Sequence, residues 1–149
     1  MCLYALYSDN GYENYVLAFP DMYLKGYQKD LDYTDEQFEE AMQNATEVRL
    51  GMRDDLYGGA TYHIDYVLVN EGEFSESYER EILDSLSAFC HIPYGTVSDM
   101  KKMSYSVTTY GIDEDTGEIV NEETRLDELC LIYIKGEGWY VSPTHFEFA

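Results

Sequence analysis

Basic residues are the first thing this chain lacks. Nine Lys and Arg stand against 30 Asp and Glu, a formal charge of -21. Phosphate backbones and anionic membranes repel such a surface, so no nucleic acid is expected among the partners. The plainest role of the charge is solubility. The sharper one is an acidic mimic of nucleic acid that blocks a basic groove. Cysteine is nearly as scarce. Cys2, Cys90 and Cys130 are an odd, sparse set and make no disulfide framework. Cys130 lies in the apolar run LCLIYI and reads as a small buried hydrophobe, while a single Cys90–Cys130 bridge stays open. No apolar run approaches the ~20 residues that cross a bilayer, so no transmembrane segment is expected. The N-terminal MCLYALYSDNGYE has no basic residue and no apolar core of signal-peptide length, so it is not an intact signal peptide. The expected location is cytoplasmic, or extracytoplasmic if a leader lies upstream. Phosphate-binding glycine loops, nucleophile elbows and basic patches are also missing.

What the chain does have is tyrosine, 16 in all, and a regular apolar pattern that excludes a disordered chain. Tyr joins a large apolar body to a polar tip and suits strand faces, rims and pockets. The 149 residues fit one domain, 1–149, able to hide roughly two-thirds of its unfolded surface. CLYAL (2–6) reads as helical turns stopped by Asp9-Asn10-Gly11. Tyr12, Tyr15, Val16 and Phe19 have helical spacing, Pro20 ends that piece, and Met22 to Tyr27 add another turn. Thr34-Asp35-Glu36-Gln37 is a capping box. Behind it Phe38, Ala41, Met42, Ala45, Val48, Met52 and Leu56 form one stripe of a helix that runs to Tyr57 and stops at Gly58-Gly59. ATYHIDYVLV (60–69) alternates: Tyr62, Ile64, Tyr66 and Leu68 share one face, Thr61, His63 and Asp65 the other until Val67. A second amphipathic helix opens near Ser75 or Ser77, carries Tyr78, Ile82, Leu83, Leu86 and Phe89 on its inner stripe, and ends before Pro93. Three strands close the chain, with Met103, Tyr105, Val107 and Thr109 on one face of the first. Leu126 to Lys135 is apolar on both faces, as in a central strand covered on both sides. Gly136-Glu137-Gly138 turns into the last strand, which Trp139 opens.

This order suits one antiparallel sheet with helices packed on one face. With SDNGYENYVLAFPDMYL (8–24), YTDEQFEEA (33–41), ELCLIYI (128–134) and GEGWYV (136–141), it resembles the nuclear transport factor 2-like superfamily, also called cystatin-like or ketosteroid-isomerase-like. Closer still, it is similar to the small acidic domains of uncharacterised lipoproteins of gut Firmicutes. The resemblance implies an α+β fold in which a curved antiparallel sheet of four or more strands wraps around the N-terminal and inserted helices as a cone. Trp139 would then plug the cone. Members usually open with a longer amphipathic helix, which points here to a short first helix or to missing upstream residues, a lipid-anchored leader among them. The expected core comprises Phe38, Met42, Ala45, Ile64, Leu68, Ile82, Leu86, Phe89, Val107, Leu131, Tyr133 and Trp139.

Isomerases of that superfamily hold an enolate in the cone with a carboxylate base and an acid pair, often Tyr and a protonated Asp. Asp65, between Tyr62 and Tyr66, is the best single candidate here, but alternation turns it to the polar side. None of the isomerase's catalytic residues can be carried over, so no catalytic residue is assigned and no enzyme is expected. His63-x-Asp65 places two metal ligands on one face without a third, and Cys90-His91 point apart at a helix end. DEDTGEIVNEETRLDE (113–128) holds eight acids and one base but fails the calcium-loop pattern, with Gly117 at position 5 and Thr124 at position 12. No metal and no cofactor is expected. Tyr62, Tyr66, Tyr105, Tyr133 and Trp139 are the ligand-binding candidates, lining either the cone or a homodimer made through the sheet. The resulting expectation is a non-catalytic module that binds a small molecule or a protein. The alternatives are an isomerase- or hydratase-like enzyme and the nucleic-acid mimic.

Overall fold

The computed structural model describes residues 11–145. The turns expected at 2–6, Cys2 and Asp9-Asn10 lie outside the described residues, as does the side chain of His145. Helix α1 (Gly11–Ala18) stops short of Pro20, whose fixed φ then opens α2 (Asp21–Asp30). Ten residues form this second helix where the sequence suggested a turn. A Lys25–Asp21 ion pair at 2.6 Å and stacked Tyr23 and Tyr27 rings, 6.1 Å apart, line its successive turns.

Helix α3 (Asp35–Tyr57) begins at the expected capping box. The Gln37 amide donates to Thr34 Oγ1 at 3.2 Å, and the Thr34 amide donates to Gln37 Oε1 at 2.9 Å. The helix ends where the sequence indicates, at Gly58 in the left-handed conformation (φ 60°). Strand β1 (Thr61–Gly72) follows, then α4 (Glu76–Phe89), N-capped by the Ser75 hydroxyl. Strands β2 (Val97–Ile112), β3 (Ile119–Ile134) and β4 (Gly138–Val141) complete a four-stranded antiparallel sheet in the order β1-β2-β3-β4. The class is α+β, and the sheet curls into a half-barrel. Register shifts at Leu68/Asn70, Val97/Asp99 and Thr109/Gly111 each interrupt the ladder with unpaired residues, the device that bends a sheet. Among the described residues no helix is long and apolar enough to cross a membrane.

Alternate residues of β3 serve two apolar clusters. Cys130, Ile132 and Ile134 meet Met100 of β2 and Ile82 and Leu86 of α4. Leu129 and Leu131 pack, with Val141 of β4, against Ala18, Phe19, Leu24 and Phe38 of the first three helices and their connections. This matches the two-sided apolar pattern of Leu126 to Lys135, and it corrects the expected one-sided packing: helices cover both faces of the sheet, because β3 is apolar on both. Cys90 and Cys130 are both buried and both free, which settles the open bridge.

The inward face of α3 departs from the expected stripe. Phe38 and Met42 do turn inward, but the helix continues inward with Thr46 and Tyr57, both buried, and with Leu50 and Arg53, half-buried. Val48, Met52 and Leu56 are 60%, 68% and 59% exposed, and Ala45 faces solvent with them. Two of these inner positions are polar. The Thr46 hydroxyl donates to the Met42 carbonyl at 3.1 Å, and the Arg53 guanidinium lies 4.9 Å from the centre of the Tyr62 ring. Leu68, Phe89 and Trp139 are likewise exposed rather than core. Leu68 lies on the outermost strand, and Phe89 is the last residue of α4. Trp139 stands two residues before Val141, toward the turn and away from the helices.

Candidate functional site

Strand register decides which of the candidate side chains share a surface. Tyr62 lies opposite Gly111, Tyr66 opposite Val107, Leu68 opposite Tyr105, and Tyr133 opposite both Asp99 and Trp139. Directly opposed residues point to the same side. Tyr62, Tyr66, Tyr105, Tyr133 and Trp139 therefore all occupy one face, the face that carries α3. They do not form one cluster. Tyr62 meets Tyr57 of α3 edge-on at 5.1 Å, Tyr66 meets Tyr105 at 6.2 Å, and Tyr133 meets Trp139 at 5.3 Å. These edge-on contacts suit the ring quadrupoles.

Helix α3 packs against this face near its two ends. It starts with Phe38 in the cluster that holds Val141 and ends with Tyr57 against Gly111, where a Cβ would lie 3.0 Å from the Tyr57 ring. Val107, between Tyr66 and Arg125 in the sheet, is completely buried. Burial pushes the Tyr62 phenol well above its ordinary pKa of 10.0; neighbouring Tyr57 adds to the rise and Arg53 opposes it. Helix α3 thus covers the aromatic face at Tyr62, while Tyr66 and Trp139 stay exposed, Trp139 with the Lys101 ammonium 5.3 Å from its ring.

The opposite face carries His63, Asp65 and Val67. The Tyr110 hydroxyl donates to Asp65 Oδ2 at 3.1 Å, and the His63 ring stacks on Tyr110 at 5.3 Å. Asp65 is exposed and points away from Tyr62 and Tyr66, as its alternation indicates. Its hydrogen bond raises the Tyr110 pKa above the usual range for a phenol. Among the described residues no three His, Cys, Asp or Glu side chains gather to hold a metal ion. In the β2–β3 turn, Asp113 Oδ1 accepts from the amides of Asp115 and Thr116 at 2.9 and 3.1 Å. An Asx turn therefore occupies the acidic loop. An open cleft of about 310 Å³ lies where α4 begins, lined by Phe74, Ser75, Tyr78, Lys102, Glu128 and Cys130. None of the aromatic candidates borders it.

The outstanding surface is one that alternation only half reveals. β1 is the outermost strand of the sheet. Tyr66, Val67, Leu68 and Val69 are 44%, 64%, 44% and 54% exposed and form an uncharged apolar run on that edge. The sequence signal was the loss of alternation at Val67. The edge position was not readable there, because strand order is a long-range property. No family model matches the chain, and no curated protein or solved structure is significantly similar to it.

Proposed function

We propose that this chain is a non-catalytic protein-binding module of the nuclear transport factor 2-like type its sequence resembles, and that it makes its contact through the β1 edge. One observation carries the reading: four consecutive exposed apolar residues on the outermost strand of the described sheet, in a chain of charge -21. A long apolar edge is a template for pairing, and proteins that do not use it usually cover or charge it. Fully burying a Val or Leu side chain is worth ~1.5–3 kcal/mol. About half of that remains to be gained at each of these residues, enough to support an interface. The helix-order and curled-sheet architecture supports the superfamily reading, and the exposure of this apolar run on an outer strand favours a protein over a small molecule as the partner.

The test is site-specific photo-crosslinking in cells, with a photoreactive residue at Val67 and a control at the exposed Glu81 of α4. Protein adducts at Val67 and none at Glu81 are expected. Equal labelling at the two positions, or none at Val67, refutes the reading.

A further inference from the structure

The β1 edge is complementary to itself. Residues 62–66 read Tyr-His-Ile-Asp-Tyr, so an antiparallel copy aligned on Ile64 meets matched partners at every position. Tyr62 lies opposite Tyr66 of the second copy, His63 opposite Asp65, and Ile64 opposite Ile64; Thr61 meets Val67. A two-fold axis through Ile64, perpendicular to the sheet, keeps like faces together. Tyr62, Ile64 and Tyr66 of both copies then share the aromatic face, and His63 and Asp65 share the other. Each His–Asp pair occurs twice by symmetry. The alignment on Asp65 sets two carboxylates opposite each other, and the alignment on Leu68 sets Asp65 opposite Glu71; both are disfavoured.

The backbone bounds the same segment. Gly59 precedes it with φ 85°, and the register shift between Leu68 and Asn70 follows it. A bulge ends regular pairing along an edge. The regular stretch, Thr61 to Leu68, therefore holds all seven residues, 61 to 67, that the Ile64-centred register uses. Among the described residues no strand other than β2 pairs with β1, and an edge strand is a template for pairing with another chain.

From this charge complementarity and these bounds we infer that the occupant of the β1 edge is a second copy of this chain, joined by antiparallel β1–β1 pairing centred on Ile64 into a continuous eight-stranded sheet. The inference rests on the proposed contact role of this edge.

Two measurements on the whole chain test it. First, sedimentation equilibrium compares the wild type with His63→Asp, Asp65→His and the double exchange. Each single variant places like residues opposite each other twice and should weaken association at least about tenfold. The double exchange restores opposite partners and should recover most of it, with circular dichroism showing all four proteins folded. Second, single cysteines are placed at Tyr62, Ile64, Tyr66 and Leu68 in a Cys2→Ser background and oxidised. Only position 64 meets its own copy; at 62 and 66 equivalent residues stand ~14 Å apart along the strands. Disulfide-linked dimer should form at position 64 alone. A wild type that stays monomeric at high micromolar concentration overturns the inference, as does a maximum at another position or a double exchange that fails to rescue. Photo-adducts of a different protein at Val67, with a monomeric wild type, would sink the dimer and leave the protein-contact reading standing.

Discussion

Replacing Val48, Met52 and Leu56 together by Lys separates the observed orientation of α3 from the one its apolar spacing suggests. Full burial of such side chains contributes ~1.5–3 kcal/mol each. They are 60%, 68% and 59% exposed, so only about a third to two-fifths of that is realised. The lysine stem covers part of the same surface, and Lys is a better helix former than Val. The triple variant should therefore lose no more than about 2 kcal/mol. With this stripe turned to the sheet, three ammonium groups would be buried without partners, and the protein would not fold. Phe38→Ala, on the buried face, should cost about 3–5 kcal/mol and calibrates the assay. Urea unfolding followed by far-ultraviolet circular dichroism gives both values. A triple variant that is unfolded, or weakened by more than Phe38→Ala, refutes the orientation.

Three further outcomes follow from local geometry. Thr34→Ala removes one half of the capping box and should cost about 1 kcal/mol, measured by the same urea titration. Gly111→Val would push a side chain into Tyr57, Ala60 and Val120, each 3.0 Å from the added Cβ, and should destabilise by about 1–3 kcal/mol. Burial pushes the Cys130 thiol up from 9.0 to about 12, with a Ser142 hydrogen bond opposing and Glu79 adding to the rise. The unfolded chain thus loses this proton first. The thiol's contribution is fully present below pH 9 and lost as pH rises toward 12, at up to about 1.4 kcal/mol per pH unit. Cys130→Ala should flatten the alkaline fall in stability over that window, and an unchanged slope would show that the thiol is not held neutral.

Much of the fold was legible because its signals are local. The capping box at Thr34, the Gly58 stop, the Ser75 cap and the two-sided pattern of β3 each depend on residues a few positions apart. The inward face of α3 was not legible for a physical reason. Apolar counting rewards Val48, Met52 and Leu56, whereas the sheet accepts Thr46 and Arg53, whose polar groups find a helix carbonyl and a tyrosine ring. Nothing in the spacing reveals those partners in advance. Trp139 was misplaced because alternation assigns a side chain to a face without saying how far the covering helices extend along it. For the candidate site the period-two pattern was enough to group Tyr62 with Tyr66 and to turn Asp65 away. The five aromatic candidates sharing one face, and the free edge beside them, depend on pairings between strands far apart in sequence.

The alternation of β3 between two clusters bears on how the protein comes apart. Ile132 and Leu131 are covalent neighbours, yet one is held by α4 and the other by the first three helices. Neither group of helices can detach without stripping a side of the same strand. The two apolar clusters therefore behave as one cooperative unit, and slowly exchanging amides in α3 and α4 should report the same opening event. β1 lies two strands away from that shared wall, and none of its residues belongs to either cluster. The element proposed to meet a partner thus stands outside the two clusters that open as one.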